Sequence, residues 1–399
     1  MLGLSRVTMK TVSLGEIRGI LSLHQFHLTL PKPKKKKLKL SVLKETVSGE
    51  TRVAIVPKSI PKLQKLGFEV IVESNAGVNA SFTDEDYRKN GASIASNSKD
   101  AITGSNVIVK INPPSVEDIE HLKTGQVWVS QLFHKLNEEL IHSLKDKGIK
   151  ALSLDALPRI SRAQSMDILS SQSNLSGYKS VICGADNLGK IFPMLTTAAG
   201  TITPARVLIF GVGVAGLQAI ATAKRLGAIV EATDVRMECK EQTESLGAKF
   251  ISVEGEDLGV KVEGGYTKEV SEEYQKKQKE AVNKSLAQAD LVITTALVQG
   301  AKSPVLISQE QIEMMKNGAV IVDMAVAKGG NTALSESDKT IVHNGVKIVG
   351  VSNFPAQIPM NASELLSRNI DTFLTHLVED GQFKWDMEDE ITKETLVTQ

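Results

Sequence analysis

Short apolar runs recur along the chain, and each is followed by a longer stretch with helical spacing. Residues 38–43 read as a first strand, ending in Lys44-Glu45-Thr46. Pro57 and Pro61 open a helical pattern that reaches Leu66, where Gly67 stops it. Residues 68–73 alternate as a strand does, and Thr83 before Asp84-Glu85-Asp86 is a helix start, a cap followed by acids in the first turn. Three more apolar runs, 107–110, 127–131 and 151–155, complete a series in which strand and helix alternate. That alternation predicts a parallel sheet covered by helices. Residues 161–197 contain few breakers and are expected to be helical in large part, carrying the chain into a second domain with strands at 249–252, 291–294, 319–323 and 347–351. Residues 254–283 interrupt that series with Gly264-Gly265 and a highly charged stretch, a length more typical of a mobile lid than of a packed element. Residues 361–378 have helical periodicity and are expected to return to the first domain. The acidic tail after Gly381 is expected to be extended.

Within the second series one segment carries chemistry. Val207-Leu-Ile-Phe210 reads as a strand, Gly211-Val-Gly213-Val-Ala-Gly216 as a tight turn opening a helix, and residues 230–233 as the next strand, ending in Asp234-Val235-Arg236. Gly211 permits the sharp turn, Gly213 lets backbone approach a pyrophosphate, and Gly216 lets the helix pack on the strand. The helix N-terminus then offers free N–H groups and a partial positive charge to phosphates. Asp234 follows the turn by about 20 residues, where a carboxylate accepts hydrogen bonds from both ribose hydroxyls. It also repels a 2′-phosphate, which favours NAD over NADP. Arg236 complicates this, because an Arg nearby accommodates that phosphate. It can otherwise stack on the adenine or stay in solvent. The fold class expected is therefore α/β, with two Rossmann-like doubly wound domains and a nucleotide-binding cleft between them. Residues 38–165, completed by 353–385, form the first, 166–352 the NAD-binding second, and 386–399 a tail.

Composition narrows the picture without changing it. A chain of 399 residues with 41% hydrophobic content can bury one or two cores, and a formal net charge of +1 gives no global field for nucleic acid. At 4% aromatics there is no base-stacking platform, so no nucleic-acid partner is expected. No apolar run approaches the roughly 18–20 residues that span a bilayer, and a soluble chain able to dock on a membrane partner is expected. Cys183 and Cys239 offer neither metal spacing nor a disulfide framework, which fits a reducing compartment. Residues 1–37 differ from the rest: they are rich in Lys, Arg, Leu and Ser, with Glu16 the only acid. They read as a disordered extension, an upstream translation start or a transit peptide, the last of which would place the protein on the mitochondrial matrix side.

A second motif joins the glycine turn. Pro158-Arg159-Ile-Ser-Arg162-Ala-Gln164-Ser-Met-Asp167-Ile-Leu-Ser170 places an Arg, an amide, a carboxylate and a hydroxyl on one short segment, able to hold a planar carboxamide such as nicotinamide. In such a segment Asp167 can fix Arg159 by a charge-assisted pair and Ser170 can add a donor. An N-capping and salt-bridge cluster at the start of a long helix is the alternative reading. Together with Thr233-Asp-Val-Arg236, the opening Lys44-Glu-Thr and Glu50-Thr-Arg52-Val-Ala, Gly264-Gly-Tyr266, Thr294-Thr-Ala-Leu297 and Asp323-Met-Ala, this motif resembles the NAD(H)-binding component of proton-translocating NAD(P) transhydrogenase, from residue 38 to about 385. The resemblance implies that NAD(H) binds here and exchanges a hydride directly with NADP(H) held by a partner subunit. It implies contacts to the nicotinamide side from Arg159 and Asp167, beside which Ser170 can donate, and from Gln164 to the partner's nucleotide. Further NAD contacts are implied at Val214, Asp234, Val235, Arg236, Gly265, Gln278 and Leu297, with Tyr266 either closing over the adenine or anchoring its own loop. It implies a membrane-spanning subunit and an NADP(H)-binding subunit as partners, a homodimer, and a cytoplasmic site peripheral to the inner membrane. The chain departs from the family pattern twice: residues 297–300 lack a proline after Leu297, and the run from Asp323 to Lys328 lacks the usual acid before Gly329-Gly330. The related alanine dehydrogenases are the alternative, an NAD-dependent amino-acid dehydrogenase. They would bind pyruvate with an Arg and a Lys and protonate it with a His, places taken here by Arg52, Lys110 and His134. The 159–167 loop separates the two, since it follows the transhydrogenase pattern.

Overall fold

The computed structural model describes residues 37–252, 272–297, 301–379 and 381–399. Two separate β-sheets carry the architecture. The first contains β1 (Leu38–Val42), β2 (Phe68–Glu73), β3 (Ser93–Ala95), β4 (Val107–Val109), β5 (Val127–Ser130) and β6 (Lys150–Ser153), in the order β3-β2-β1-β4-β5-β6. All its pairings are parallel, with Leu40 flanked by Val70 on one side and Val107 on the other. A small exposed hairpin, β7 (Leu195–Thr197) with β8 (Gly200–Ile202), pairs only with itself. The second sheet contains β9 (Arg206–Phe210), β10 (Ile229–Thr233), β11 (Lys249–Phe250), β12 (Leu291–Thr294), β13 (Val320–Asp323), β14 (Thr340–His343) and β15 (Val346–Gly350), ordered β11-β10-β9-β12-β13-β15-β14. Only β14 runs antiparallel in it. Both sheets are doubly wound, and each reverses strand order once: between β1 and β4, and between β9 and β12. The central strands are buried on both faces, which is why they read as continuous Val/Ile/Leu runs rather than alternating ones.

Two long helices tie the sheets together. Ile168–Asn187 buries Ile168 in the core of the first sheet and Val181 in that of the second. It crosses the helix Val214–Arg225 so closely that a Cβ on Gly177 would stand 2.1 Å from the carbonyl oxygen of Ala215. Pro359–Leu377 returns to the first sheet, where Leu366, Ile370, Phe373 and Leu374 join its core. Four-residue spacing places Ser363, Ser367 and Asp371 on one face of this helix. The Ser363 and Ser367 hydroxyls accept the backbone N–H groups of Val53 and Val56, and Asp371 accepts from Ser59 Oγ. Those contacts satisfy a segment that belongs to neither sheet, as buried backbone requires.

Several local expectations are corrected. β3, β14 and the β7–β8 hairpin are too short or too polar to stand out by periodicity. Of the lid expected at 254–283, residues 253–271 lie outside the described residues, and Glu272–Leu286 is a helix. The tail is not extended. Residues Glu390–Thr395 form a helix, Ile391 is fully buried in the first core, and Leu396 bridges to Leu152 on β6.

Candidate functional site

A cleft of about 800 Å³ opens between the carboxyl ends of the two sheets. One wall is the loop that leaves β6, the other the turn that leaves β9. At the second wall Gly211 has φ +92°, and its absent Cβ leaves room for Thr295 Oγ1, which would be 2.6 Å away. A Cβ on Gly216 would meet Gly211's carbonyl oxygen at 1.9 Å, so the helix can lie this close to the turn only with glycine there. Gly213 faces open space, with no atom within 4 Å of a Cβ built on it. It also precedes a 12-residue helix that has no side-chain cap, whereas the helices beginning after Thr83, Ser115, Asp167 and Ser308 are each capped by a side chain. The first-turn N–H groups beside Val214 are therefore free for an anion.

Asp234 closes the turn from the end of β10. Its Oδ2 accepts the Val212 N–H at 2.6 Å, so the acid is bound to the glycine turn itself. Arg236 grips the same carboxylate: its own N–H and Nε lie 2.9 and 3.0 Å from Oδ1, and Nη2 lies 3.0 Å from Oδ2. Burial opposes ionisation of Asp234, but the donors from Arg236 and Val212 outweigh it and hold the carboxyl below its ordinary value. Arg236 is thus anchored on Asp234 and not merely solvated. Val235 between them is 81% exposed at the cleft, and Leu297 reaches it after β12.

The opposite wall carries Arg159, Gln164, Asp167 and Ser170, all lining the same cleft. Asp167 does not pair with Arg159, which corrects the expected charge-assisted fork. Its carboxylate caps the helix Ile168–Asn187 instead, accepting Ser170 N–H at 3.0 Å and Ser170 Oγ at 2.6 Å. The side chains of Arg159 and Gln164 are exposed and make no hydrogen bond to any other described residue, so both remain available to a ligand. Gly265 and Tyr266 lie outside the described residues. Gln278 sits on the helix Glu272–Leu286, apart from the cleft lining; its Nε2 bonds Ile251 O at 3.0 Å and its Oε1 is buried without a partner among the described residues.

Asn331, which the sequence did not single out, and Asp323, which entered it only as part of a motif, hold the cleft's floor. Asn331 accepts Ala296 N–H at 3.0 Å and donates to the carbonyls of Ala296 and Pro304, fixing the chain just before Leu297. Fully buried Asp323 in turn accepts the N–H groups of Asn331 and Thr332. The signal for this was present as a buried strand ending in Asp323, followed by Gly329-Gly330-Asn331.

Two family models match the chain: Alanine dehydrogenase/PNT, N-terminal domain, over residues 41–176, and Alanine dehydrogenase/PNT, C-terminal domain, over residues 180–399. The chain belongs to the alanine dehydrogenase/PNT family. It is 50% identical over 369 residues to a chain of NAD(P) transhydrogenase subunit alpha from Rhodospirillum rubrum, spanning 90% of this chain and 96% of that one. Its fold matches the crystal structure of transhydrogenase from Sinorhizobium meliloti with a TM-score of 0.81 at 42% identity, over 90% of this chain and 97% of that one. The structure of an L-alanine dehydrogenase matches less well, with a TM-score of 0.72 at 27% identity, over 85% and 90% of the two chains. Within the alanine dehydrogenase/PNT family the chain therefore stands nearer the transhydrogenase side.

The three residues that an alanine dehydrogenase reading requires are placed differently from the cleft residues. Arg52 is buried and forked onto Glu50 at 2.6 and 2.8 Å, with Nη1 on Gln172 at 2.8 Å. Lys110, 1% exposed, is paired with Asp118 at 2.7 Å. His134 lies half-buried in a turn, with Nδ1 lacking a partner among the described residues.

Proposed function

We propose that this protein is the NAD(H)-binding component of a proton-translocating NAD(P) transhydrogenase, working with an NADP(H)-binding subunit and a membrane-spanning subunit. The observation that carries the reading is convergence: an uncapped glycine-turn helix, a ribose-binding acid, and a loop bearing a free Arg and a free amide all face one cleft. The donor set fits a dinucleotide. N–H groups at the start of the helix after Gly213 receive the pyrophosphate, and open space at Gly213 admits it. Asp234 receives the adenine-ribose hydroxyls once the Arg236 fork yields. Arg159, Ser170 and the Asp167 cap hold the carboxamide end. Gln164, exposed at the rim, reaches toward the partner's nucleotide. When bound here, NAD+ supplies the hydride-accepting carbon for direct transfer from NADPH, giving NADH and NADP+.

No proton leaves the reacting carbons in that transfer, so no general acid or base is required of the chain. Its residues act by orientation and by excluding water, effects worth several powers of ten in rate. Arg52 and Lys110 already have their charge matched by Glu50 and Asp118, which counts against a second site for a keto acid. Two measurements test the reading. Titration should show NADH binding far tighter than NADPH. The chain alone should transfer almost no hydride, and addition of an NADP(H)-binding transhydrogenase component should restore transfer from NADPH to an NAD+ analogue. Robust alanine-dependent NADH formation by the chain alone would overturn the reading in favour of the dehydrogenase.

A further inference from the structure

The side chain of Gln164 is free, but the backbone that presents it is not. Gln164 sits in a single 3₁₀ segment, Ser161–Met166, between β6 and the helix Ile168–Asn187. Two residues remote in sequence grip this segment on either side of Gln164. Asn369, on the returning helix Pro359–Leu377 and 8% exposed, donates from Nδ2 to the carbonyl of Ser165 at 2.8 Å. Its Oδ1 accepts Ser171 Oγ at 2.7 Å, on the first turn of the helix that Asp167 caps. One buried amide thus fixes the segment to the helix that follows it. Two residues before Gln164, Arg162 Nη1 donates to Asp389 Oδ1 at 2.9 Å. Asp389 is held in turn as the cap of the C-terminal helix: its Oδ2 accepts Thr392 N–H at 3.0 Å and Thr392 Oγ1 at 3.1 Å, and stands 2.8 Å from His376 Nε2. The groups facing Asp389 are therefore the Arg162 guanidinium from the loop and the His376 ring from the returning helix.

We infer that Asn369 and Asp389 are positioning residues for hydride transfer, holding the 161–166 segment so that Gln164 points across the cleft. The inference rests on the transhydrogenase reading for what Gln164 reaches. It assigns a role to the C-terminal segment, which neither sheet needs for its own strand order. The buried Asn369 contact is the stronger of the two. The Arg162–Asp389 pair is more than half exposed on the arginine side, and a pair of that kind contributes little stability by itself. What it supplies is direction, and a displacement of about 1 Å at a positioning group costs on the order of 10²-fold in rate.

The test uses the full chain with Asn369→Asp, which keeps the acceptor for Ser171 but faces the Ser165 carbonyl with an oxygen, and with Asp389→Asn, which keeps a helix cap but discharges the arginine contact. Backbone amide exchange over 161–170 should rise in both variants, with thermal unfolding close to that of the parent for Asp389→Asn and lowered for Asn369→Asp, whose buried carboxyl meets the Ser165 carbonyl. With an NADP(H)-binding component, NADPH and acetylpyridine adenine dinucleotide, turnover should fall roughly 10–100-fold for Asn369→Asp and severalfold for Asp389→Asn. The NADH Kd should move less than about threefold, as expected when geometry and not binding is lost. Adding Gln164→Asn to Asn369→Asp should cost much less than the product of the two single losses, because both act through one side chain. Unchanged exchange, unchanged turnover, or multiplicative losses in the double variant would each overturn the inference. A parent protein that transfers no hydride overturns the functional reading instead, and the exchange result alone then decides whether Asn369 and Asp389 hold the loop.

Discussion

Replacing Asp234 separates two roles of one carboxylate, the turn contact seen in the structure and the ribose contact proposed for it. In Asp234→Ala the Val212 N–H, bonded at 2.6 Å, loses its acceptor inside the glycine turn. Arg236 loses its fork as well, but its side chain is 44% exposed and turns to water. The stability loss should therefore come mainly from one stranded backbone N–H, about 1–3 kcal/mol, since a half-exposed ion pair adds only ~0–1 kcal/mol. For a domain of this size that is a fall of several degrees in Tm. Binding loses more. Two ribose hydroxyls forfeit a charged acceptor, about 1–3 kcal/mol, or roughly 5- to 150-fold in NADH Kd. Asp234→Asn keeps an acceptor for Val212 and should leave Tm near that of the parent. With the negative charge gone and Arg236 released, the same variant should narrow the gap between NADH and NADPH. Calorimetric titration with both nucleotides, beside thermal unfolding, reads all of these. An NADH Kd within twofold of the parent in Asp234→Ala would refute the ribose assignment. A raised Kd with unchanged Tm would refute the claim that Asp234 also holds the turn.

Three further outcomes follow from the same contacts. Gln164→Asn should lower turnover with a partner component by about 10²-fold while leaving NADH affinity nearly unchanged, by titration and steady-state transfer; lost affinity with normal turnover would sink that role. Gly177→Ala should lower stability by about 1–3 kcal/mol in thermal or urea unfolding, because its Cβ would stand 2.1 Å from Ala215's carbonyl and force the two crossing helices apart. Burial pushes the Asp371 carboxyl up from 3.8 to about 6, against the Ser59 hydrogen bond that lowers it. A raised acid favours the folded state fully below its unfolded value and loses that advantage as pH rises through the folded one. Asp371→Asn should accordingly be more stable than the parent at pH 8, by on the order of 1–3 kcal/mol, and the difference should vanish near pH 4 in parallel melts.

What the sequence disclosed depended on the range of the interaction. Central strands such as 107–109 and 291–294 were legible because burial on both faces writes itself as a nearly unbroken apolar run, and 68–73 because its buried and exposed positions alternate. The helix start at Thr83 was legible because a capping box is complete within four residues. The glycine turn was legible for the same reason. Gly211, Gly216 and Asp234 constrain one another over a short stretch, and the structure explains each by a specific close approach. The 159–170 loop was legible as a group, but its internal pairing was not. Whether Asp167 turns to Arg159 or to Ser170 depends on where the next helix begins, and the N-capping geometry wins because it satisfies two donors at once. The tail was misread for a related reason. Its acids look solvated in isolation, yet Asp389 is a cap, and Ile391 is buried in a core built mostly by strands and helices far earlier in the chain. Asn369 could not be found at all by local pattern, since its partners are about 200 residues away, and Asn331 was marked only by the glycine pair before it, not by the Ala296 and Pro304 backbone atoms it holds.

The two sheets have the same central strand order and treat their reversal points in opposite ways, which bears on how many nucleotides one chain holds. In doubly wound sheets ligands bind where the order reverses, outside the carboxyl ends of the strands. At the second sheet that point lies between Gly211 after β9 and Thr295–Leu297 after β12, and it is open and lined by backbone. At the first sheet the equivalent point lies between Glu45 after β1 and Ile111–Asn112 after β4, and it is filled by the protein itself. Glu45 accepts Ile111 N–H at 2.6 Å and Asn112 Nδ2 at 3.0 Å, and Asn112 reaches on to Glu50, which holds Arg52. Burial raises Glu45 to about 7 against those donors, so the group filling the crevice is an acid on the edge of neutrality. Among the described residues no glycine turn of the kind at 211–216 follows β1. A second dinucleotide would have to displace a connected set of buried charges, each of which loses its partner when the set is opened, and removing one partner of a buried pair costs several kcal/mol. The fold thus offers two crevices of one topology and leaves one of them open. Hydride exchange between two nicotinamides, on the transhydrogenase reading, then requires that the second nucleotide arrive on another protein.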